Sequence, residues 1–342
     1  MITTSASRVI STLRLPLIIG VVFIHSSVPL DQPTLIETKI WTIFGYVLPA
    51  FCVPLFFMFS GYLFFATTKA FTPKEYAIKL KSRSKSLLIP YIVWNALTLL
   101  AFYVFNRLVP SSRSHSMHNV VDYSFIDILS AFWIDYDYYP IALQFWFIRD
   151  LMVVILLSPI VYLIVKKTPI GILVFTVLYF IIPRFAAAYF FSLGAYFALQ
   201  NKDFIALSYK IRWYAITVFA VSLIVRAFTV DRTSPDTDLP YIKEVYILSS
   251  MIVVLVLTDK LSCKYQVPTL FTNSSFFIFC SHILIGAVIS RIITSFLAGR
   301  NEIFWIIGYF ANPFIIVALG ILLYKLLSLY TPRLLSFITG GR

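Results

Sequence analysis

Charge is the commodity this chain has least of. Asp, Glu, Lys and Arg make up 13% of its 342 residues, against 60% hydrophobic residues. No soluble globular domain of this length has that composition, so that class is excluded. Cysteine is nearly absent. Cys52 and Cys280 lie in apolar runs and Cys263 in a short connection, so there is no disulfide framework and no metal-ligand spacing, and no metal is expected. Glycine is scarce, at 11 residues, and no glycine-rich phosphate loop occurs. No internal repeat or low-complexity segment is visible. Acids are outnumbered 15 to 28, giving a net charge of +13. In a membrane protein that excess is first of all a topology signal and does not argue for a nucleic-acid partner.

What remains is long, continuous apolar runs, which favour helices over the alternating ten-residue strands of a barrel. The expected fold class is all-α, a polytopic membrane helical bundle of about ten transmembrane helices in one domain, 1–342. The spans read as 9–29, 39–65, 87–108, 145–165, 169–183, 185–199, 213–229, 241–258, 272–297 and 304–329. The fifth and sixth are short and meet at Pro183-Arg184, which suits tilted or partly re-entrant segments. Pro49 and Pro54 should kink the second. The N-terminal run is too long for a signal peptide, lacks a small-x-small cleavage site and is interrupted by Arg14, so it is expected to stay as a span.

Orientation follows from Lys and Arg. Five of the 28 fall within spans: Arg14, Arg149, Arg226, Arg291 and Lys325. Seven lie on the side opposite the N-terminus: Lys39, Arg107, Arg113, Arg184, Arg232, Lys243 and Arg300. The other sixteen share the N-terminal side, which predicts N-in and, with ten spans, C-in. The expected location is the cell membrane, with membrane lipids as neighbours.

The organising segment is RVISTLRLPLIIGVVFIHSSVPL, residues 8 to 30. It is long enough to cross a bilayer yet carries Arg14 and His25. Eleven residues separate the pair by about 16 Å along a helix. Ionisable groups at such depth face a protein-lined cavity and mark a functional path. His25 admits two readings, a general base or nucleophile that titrates near neutrality, or a hydrogen bond between helices. Arg14 also has two, a functional cation or a side chain snorkelling to the inner headgroups.

Other stretches add candidates. Ser60-Gly61 lies in PLFFMFSGYL, where Gly61 permits close helix approach and Ser60 can bond across helices. The basic run 69–85 holds Lys81, Arg83 and Lys85. Positive-inside topology alone accounts for it, but it also suits the phosphates of a cytoplasmic coenzyme A donor. In QFWFIRD, Trp146 fits an interfacial belt, while Arg149 and Asp150, adjacent on a helix, point apart and so each need a partner elsewhere. Arg149, Arg226 and Arg291 suggest either an outer pocket of guanidiniums or separate snorkelling. His282 is a second intramembrane histidine with a structural hydrogen bond as its default role; His115 and His118 are assigned none. The loop 109–144 offers Tyr123, Phe132, Trp133, Tyr136, Tyr138 and Tyr139 beside Asp122, Asp127, Asp135 and Asp137. Such a mixture suits sugar rings, and equally an interfacial belt.

Taken in order, several of these stretches resemble the membrane acyltransferase family 3, which includes the polysaccharide O-acetyltransferases. They are the Arg14-x10-His25 pair, VPLFFMFSGYLFF, the basic run into SLLIPYIVWN, WFIRDL, FFSLGAYF and SSFFIFCSHIL. The resemblance covers about residues 8 to 330 and is strongest to the fucose 4-O-acetylase-like branch and to the intercellular adhesion polysaccharide branch that adds succinyl groups. It implies a ten-helix enzyme that takes an acyl group from cytoplasmic acyl-CoA, acetyl-CoA above all, to a hydroxyl of a surface or lipid-linked glycan. In that picture His25 is catalytic and Arg14 is required with it. Lys81, Arg83 and Lys85 would meet the donor, and Ser60, Trp146, Arg149, Asp150 and His282 the acceptor. The family often carries Arg-x-x-Arg before the third span; here Arg83-Ser-Lys85-Ser86 lacks the second arginine, and Lys81 or Lys85 would substitute as a point charge.

Two other acyltransferase patterns fail. An H-x4-D motif would need Asp at position 30, where Leu30 stands, and Asn273 and His282 are too close for the membrane-bound O-acyltransferase pair. The competing class is a glycan exporter, which would explain ten spans without chemistry. Few glycines and no repeated halves count against it.

Overall fold

The computed structural model describes residues 3–26, 28, 33–68, 71–109, 119–135, 138–167, 170–231, 238–297 and 301–341. Asp31, Lys69, Arg113, His115, His118, Tyr136, Asp137, Arg232 and Arg300 lie outside them. The helices are α1 (Thr4–His25), α2 (Leu35–Thr42), α3 (Cys52–Ala66), α4 (Pro73–Arg83), α5 (Ile89–Leu108), α6 (Phe125–Ala131), α7 (Trp146–Leu156), α8 (Ser158–Lys167), α9 (Gly171–Ile181), α10 (Ala186–Leu199), α11 (Phe204–Thr229), α12 (Ile242–Ser262), α13 (Thr269–Leu297), α14 (Glu302–Tyr330) and α15 (Pro332–Thr339). No strand occurs among the described residues, and the chain is a polytopic helical bundle.

Seven helical runs are long and apolar enough to cross a membrane. They are α1, the α2–α3 run, the α4–α5 run, and α11 to α14. The fourth expected span, which would make an eighth crossing, is broken: α7 and α8 meet at a 61° bend. The fifth and sixth segments are α9 and α10, of 11 and 14 residues. At 1.5 Å per residue they reach only about 16 and 21 Å, short of the ~30 Å hydrocarbon core.

Proline shapes two of the runs without breaking them. Upstream of Pro49 the helix loosens into a π-turn, Ile43–Val47, then tightens into a 3-10 turn, Leu48–Phe51. Upstream of Pro90 a second π-turn, Ser84–Leu88, joins α4 to α5. A π-turn absorbs one extra residue and frees the carbonyl that the proline ring would strike. The basic segment is therefore a helical extension of the third span.

α1 is the central post. It is capped by Thr3, which accepts from the Ala6 amide. It buries Val9, Ile10, Leu13, Leu17, Ile18, Val21 and Val22 against α3, α12, α13 and α14. α3 and α10 pack along their length because two glycines let the backbones touch. A Cβ on Gly61 would sit 2.0 Å from the Phe191 carbonyl oxygen, and one on Gly194 would sit 1.9 Å from that of Met58. Neither backbone can yield, so Gly61→Ala and Gly194→Ala should each cost about 1–3 kcal/mol or more. The expected readout is a lower melting point for the detergent-solubilised protein. Gly286→Ala, whose Cβ meets only the flexible end of Ile316 at 3.3 Å, should melt like the native chain.

The long 109–144 connection is tied to α5 by buried amides. Asn106 Oδ1 accepts from the Val120 amide at 3.2 Å, and Asn95 Oδ1 from the Ala142 amide at 3.1 Å. Within the connection, α6 is closed by a Ser124–Asp127 capping box and leaves Phe125, Ile126 and Leu129 exposed. Three apolar side chains on one short helix are what an interfacial segment presents.

Candidate active site

Eleven residues make just over three helical turns, so Arg14 and His25 leave α1 on the same face. That face lines two cavities, one above the other. The first, about 430 Å³, holds Arg14, Ser60, Arg83, Asn273 and Ser275 among its polar walls. The second, about 520 Å³, holds His25, Tyr46, Tyr139, Gln144, Trp146, Tyr179, Lys243 and Glu244. The same four helices wall both. α1 gives Ile10, Arg14 and Ile18 to the first and Val21, Ile24 and His25 to the second, and α3, α7 and α13 divide likewise. Each cavity also borders a π-turn, which carries Tyr46 to the second and Leu87 to the first.

The Arg14 cavity is cationic. Its lining contains Arg14 and Arg83 and no carboxylate, and among the described residues neither arginine has an ion-pair partner. Two unneutralised guanidiniums in a partly apolar cleft attract an anion strongly and match phosphate oxygens in geometry. Lys81 and Lys85 are exposed and outside this lining. Among the described basic residues of the run, only Arg83 reaches the cavity. Ser60, grouped by sequence with the acceptor contacts, belongs to this first cavity instead.

The His25 cavity is largely apolar and aromatic, with a few polar groups set into its wall. The imidazole of His282 lies beside that of His25, with ring centroids 5.3 Å apart. Nδ1 of His282 bonds the Phe279 carbonyl at 2.8 Å. A carbonyl only accepts, so this nitrogen carries the hydrogen and the buried Nε2 is left as an acceptor with no partner among the described residues. Gln144 is held similarly: its Nε2 donates to the Cys280 carbonyl at 2.8 Å, leaving Oε1 buried and unpartnered among the described residues. Trp146 and Tyr139 pack edge to face in the wall, centroids 6.5 Å apart.

The remaining cations do not form a guanidinium pocket. Helical spacing predicts that Arg149 and Asp150 point apart, yet Arg149 Nε donates to Asp150 Oδ1 at 2.9 Å. The helix directions do diverge, but the arginine side chain is long enough to fold back. Its Nη1 donates to the carbonyls of Trp133 at 2.8 Å and Tyr138 at 2.7 Å, pinning the long connection to α7. Neither Arg149 nor Asp150 lines the second cavity. Arg226 does not snorkel. It is fully buried, bonded twice to Asp238 at 3.1 and 2.8 Å, and sits against the rings of Tyr46 and Tyr246. It props Tyr46 in place. Arg291 lies over the Phe105 ring.

Most of the aromatic and acidic loop residues are also structural. Tyr123 donates to Asp135 at 2.7 Å, Asp127 caps α6, and of the described loop aromatics only Tyr139 reaches the cavity. Gln144, Lys243 and Glu244 are site residues that the sequence reading does not single out. For Glu244 a signal is present: it is an acid inside a span, and the criterion that singles out Arg14 applies equally to it. Among the described residues no group of three or more His, Cys, Asp or Glu side chains is placed to hold a metal.

Residues 9–331 match the model of a family described as an acyltransferase domain. The chain is also 24% identical to the succinoglycan biosynthesis protein ExoH of Rhizobium meliloti (strain 1021), an alignment covering 99% of this chain and 93% of that protein. No solved structure matches it. With the family match spanning nearly the whole bundle, the chain belongs to the acyltransferase 3 family of membrane O-acyltransferases.

Proposed function

We propose that the protein moves an acetyl or succinyl group from acyl-CoA, bound in the Arg14 cavity, to a hydroxyl of a glycan, free or lipid-linked, held in the His25 cavity. The observation that carries this reading is the pair of cavities stacked along one helix, the cationic one at Arg14 and the imidazole-bearing one about 16 Å away. The relative's role in succinoglycan biosynthesis supports a polysaccharide acceptor. The excess of Lys and Arg on the N-terminal side supports an Arg14 cavity open toward the cytoplasm, where coenzyme A esters are made, and a His25 cavity toward the opposite leaflet.

In direct transfer His25 takes the proton of the acceptor hydroxyl as its oxygen attacks the thioester carbonyl. The new C–O bond forms, the C–S bond breaks, and the imidazolium returns its proton to the departing thiolate. In the two-step variant His25 itself takes the acyl group and releases the thiol before the hydroxyl attacks. Either way His282 does not line the cavity, and its bare Nε2 can accept only from the neighbouring His25 ring. Gln144 Oε1 and Glu244 offer further acceptors for sugar hydroxyls, with Trp146 and Tyr139 as apolar faces.

The test is sided. Purified protein in sealed vesicles should label enclosed glycan from radiolabelled acyl-CoA supplied on the Lys/Arg-rich face, and not when the donor is confined to the other face. Movement of glycan without any acyl label would favour the exporter reading instead.

A further inference from the structure

Among the described residues the two cavities share only two of their lining, and both are phenylalanines. Phe147 of α7 and Phe279 of α13 face the Arg14 cavity on one side and the His25 cavity on the other. Their rings meet edge to face, centroids 5.9 Å apart. Phe56 packs on Phe147 from the Arg14 side at 5.9 Å, and Phe57 from the His25 side at 4.7 Å. On α1 the boundary falls between Ile18 and Val21, about 4.5 Å of helix. Among the described lining residues, none at this level is charged. Phe57, Phe147 and Phe279 are 2%, 9% and 6% exposed, so the rings are packed and not splayed.

We propose that Phe147 and Phe279, backed by Phe57, are a closed aromatic partition through which the acyl end of the donor must thread, and that these rings set the longest acyl chain transferred. The proposal rests on the acyl-transfer reading above. Its physical basis is twofold. A continuous wet path joining Arg14 to His25 would let water and ions cross the bilayer, and an apolar constriction prevents that by staying dry. A slender, neutral pantetheine arm can pass between rings that turn aside, whereas the phosphates must stay with Arg14 and Arg83. A packed ring pair yields to a short acyl group far more readily than to a long one, since tight cores resist added volume.

Two measurements decide it. In the first, rates are compared for acetyl-, butyryl- and hexanoyl-CoA. Phe147→Ala and Phe279→Ala should raise the hexanoyl-to-acetyl ratio at least tenfold, Phe147→Leu by less, and Phe147→Trp should lower it. An unchanged ratio in variants that still transfer acetyl groups overturns the proposal. In the second, His25→Cys is made in a chain whose Cys52, Cys263 and Cys280 have been replaced. A small, charged methanethiosulfonate added from the Arg14 side should leave the introduced thiol unlabelled, and adding Phe147→Ala or Phe147→Leu should expose it. Equal labelling with and without the Phe147 change overturns the partition. Should the native protein transfer no acyl group from any coenzyme A ester, the reading of function falls and the chain-length claim with it. The labelling would still decide whether the rings separate the cavities.

Discussion

His25→Ala lowers acyl transfer at least about a hundredfold while the protein remains folded. The size follows from the two roles open to the imidazole. As a general base alone it contributes about 10² to 10⁴ in rate. As the carrier of the acyl group it is indispensable, because no neighbouring side chain is a comparable nucleophile. His282 does not rescue the loss, since its ring is buried and is not part of the cavity lining. The fold survives because His25 sits at the end of α1, half-buried in a cavity wall, so truncation enlarges existing space and opens no new hole in the core. The measurement is transfer of radiolabelled acetyl from acetyl-CoA by protein that elutes and melts as the native chain does. Transfer at the native rate by such a variant removes His25 from the chemistry. His25→Gln, which keeps volume and hydrogen bonding, should be as inactive as the alanine variant. If only the alanine variant fails, the histidine is a packing residue.

The shared face of Arg14 and His25 is legible in the chain alone. A span with an arginine and a histidine eleven positions apart fixes a shared helical face, and both side chains do open onto cavities. Gly61 is readable for the same kind of reason, because a small residue inside an apolar helix marks close approach; its counterpart Gly194 becomes visible only once α3 and α10 are seen to touch. How the remaining cations are used is not readable. Hydropathy and depth treat Arg149 and Arg226 like Arg14, yet the first ties down a loop and the second is buried on Asp238. That distinction depends on which carboxylate or carbonyl comes near in three dimensions, and no periodicity records it. The short α9 and α10 show another limit. An apolar run signals insertion, but its length can be shared between two half-length helices packed on neighbours. The aromatic partition is subtler still. With 33 phenylalanines in the chain, nothing in the sequence distinguishes Phe147 and Phe279 from the rest.

Arg14→Ala should raise the KM for acyl-CoA about a hundredfold and change kcat by no more than about fivefold. The split follows from distance. A unit charge about 16 Å from a reacting centre, at an effective dielectric constant near 20, contributes about 1 kcal/mol, roughly a factor of five. Arg14 therefore has little leverage on charge developing beside His25. Direct contact with a phosphate is another matter. Hydrogen bonds to charged groups contribute about 1.5–3 kcal/mol, or ten- to a hundredfold in affinity. The cavity around Arg14 strengthens that contact, because it is partly apolar and its lining holds no carboxylate to compete. Arg14→Lys should restore part of the affinity as a point charge without the bidentate geometry. Arg83→Ala should show the same KM-weighted loss, smaller because Arg83 sits at the end of α4 nearer the basic surface. Steady-state kinetics with acyl-CoA varied at saturating glycan give the two constants separately. A hundredfold fall in kcat with KM unchanged would place the reacting carbonyl beside Arg14, and the acyl group would then not need to travel to His25 before the bond to sulfur breaks.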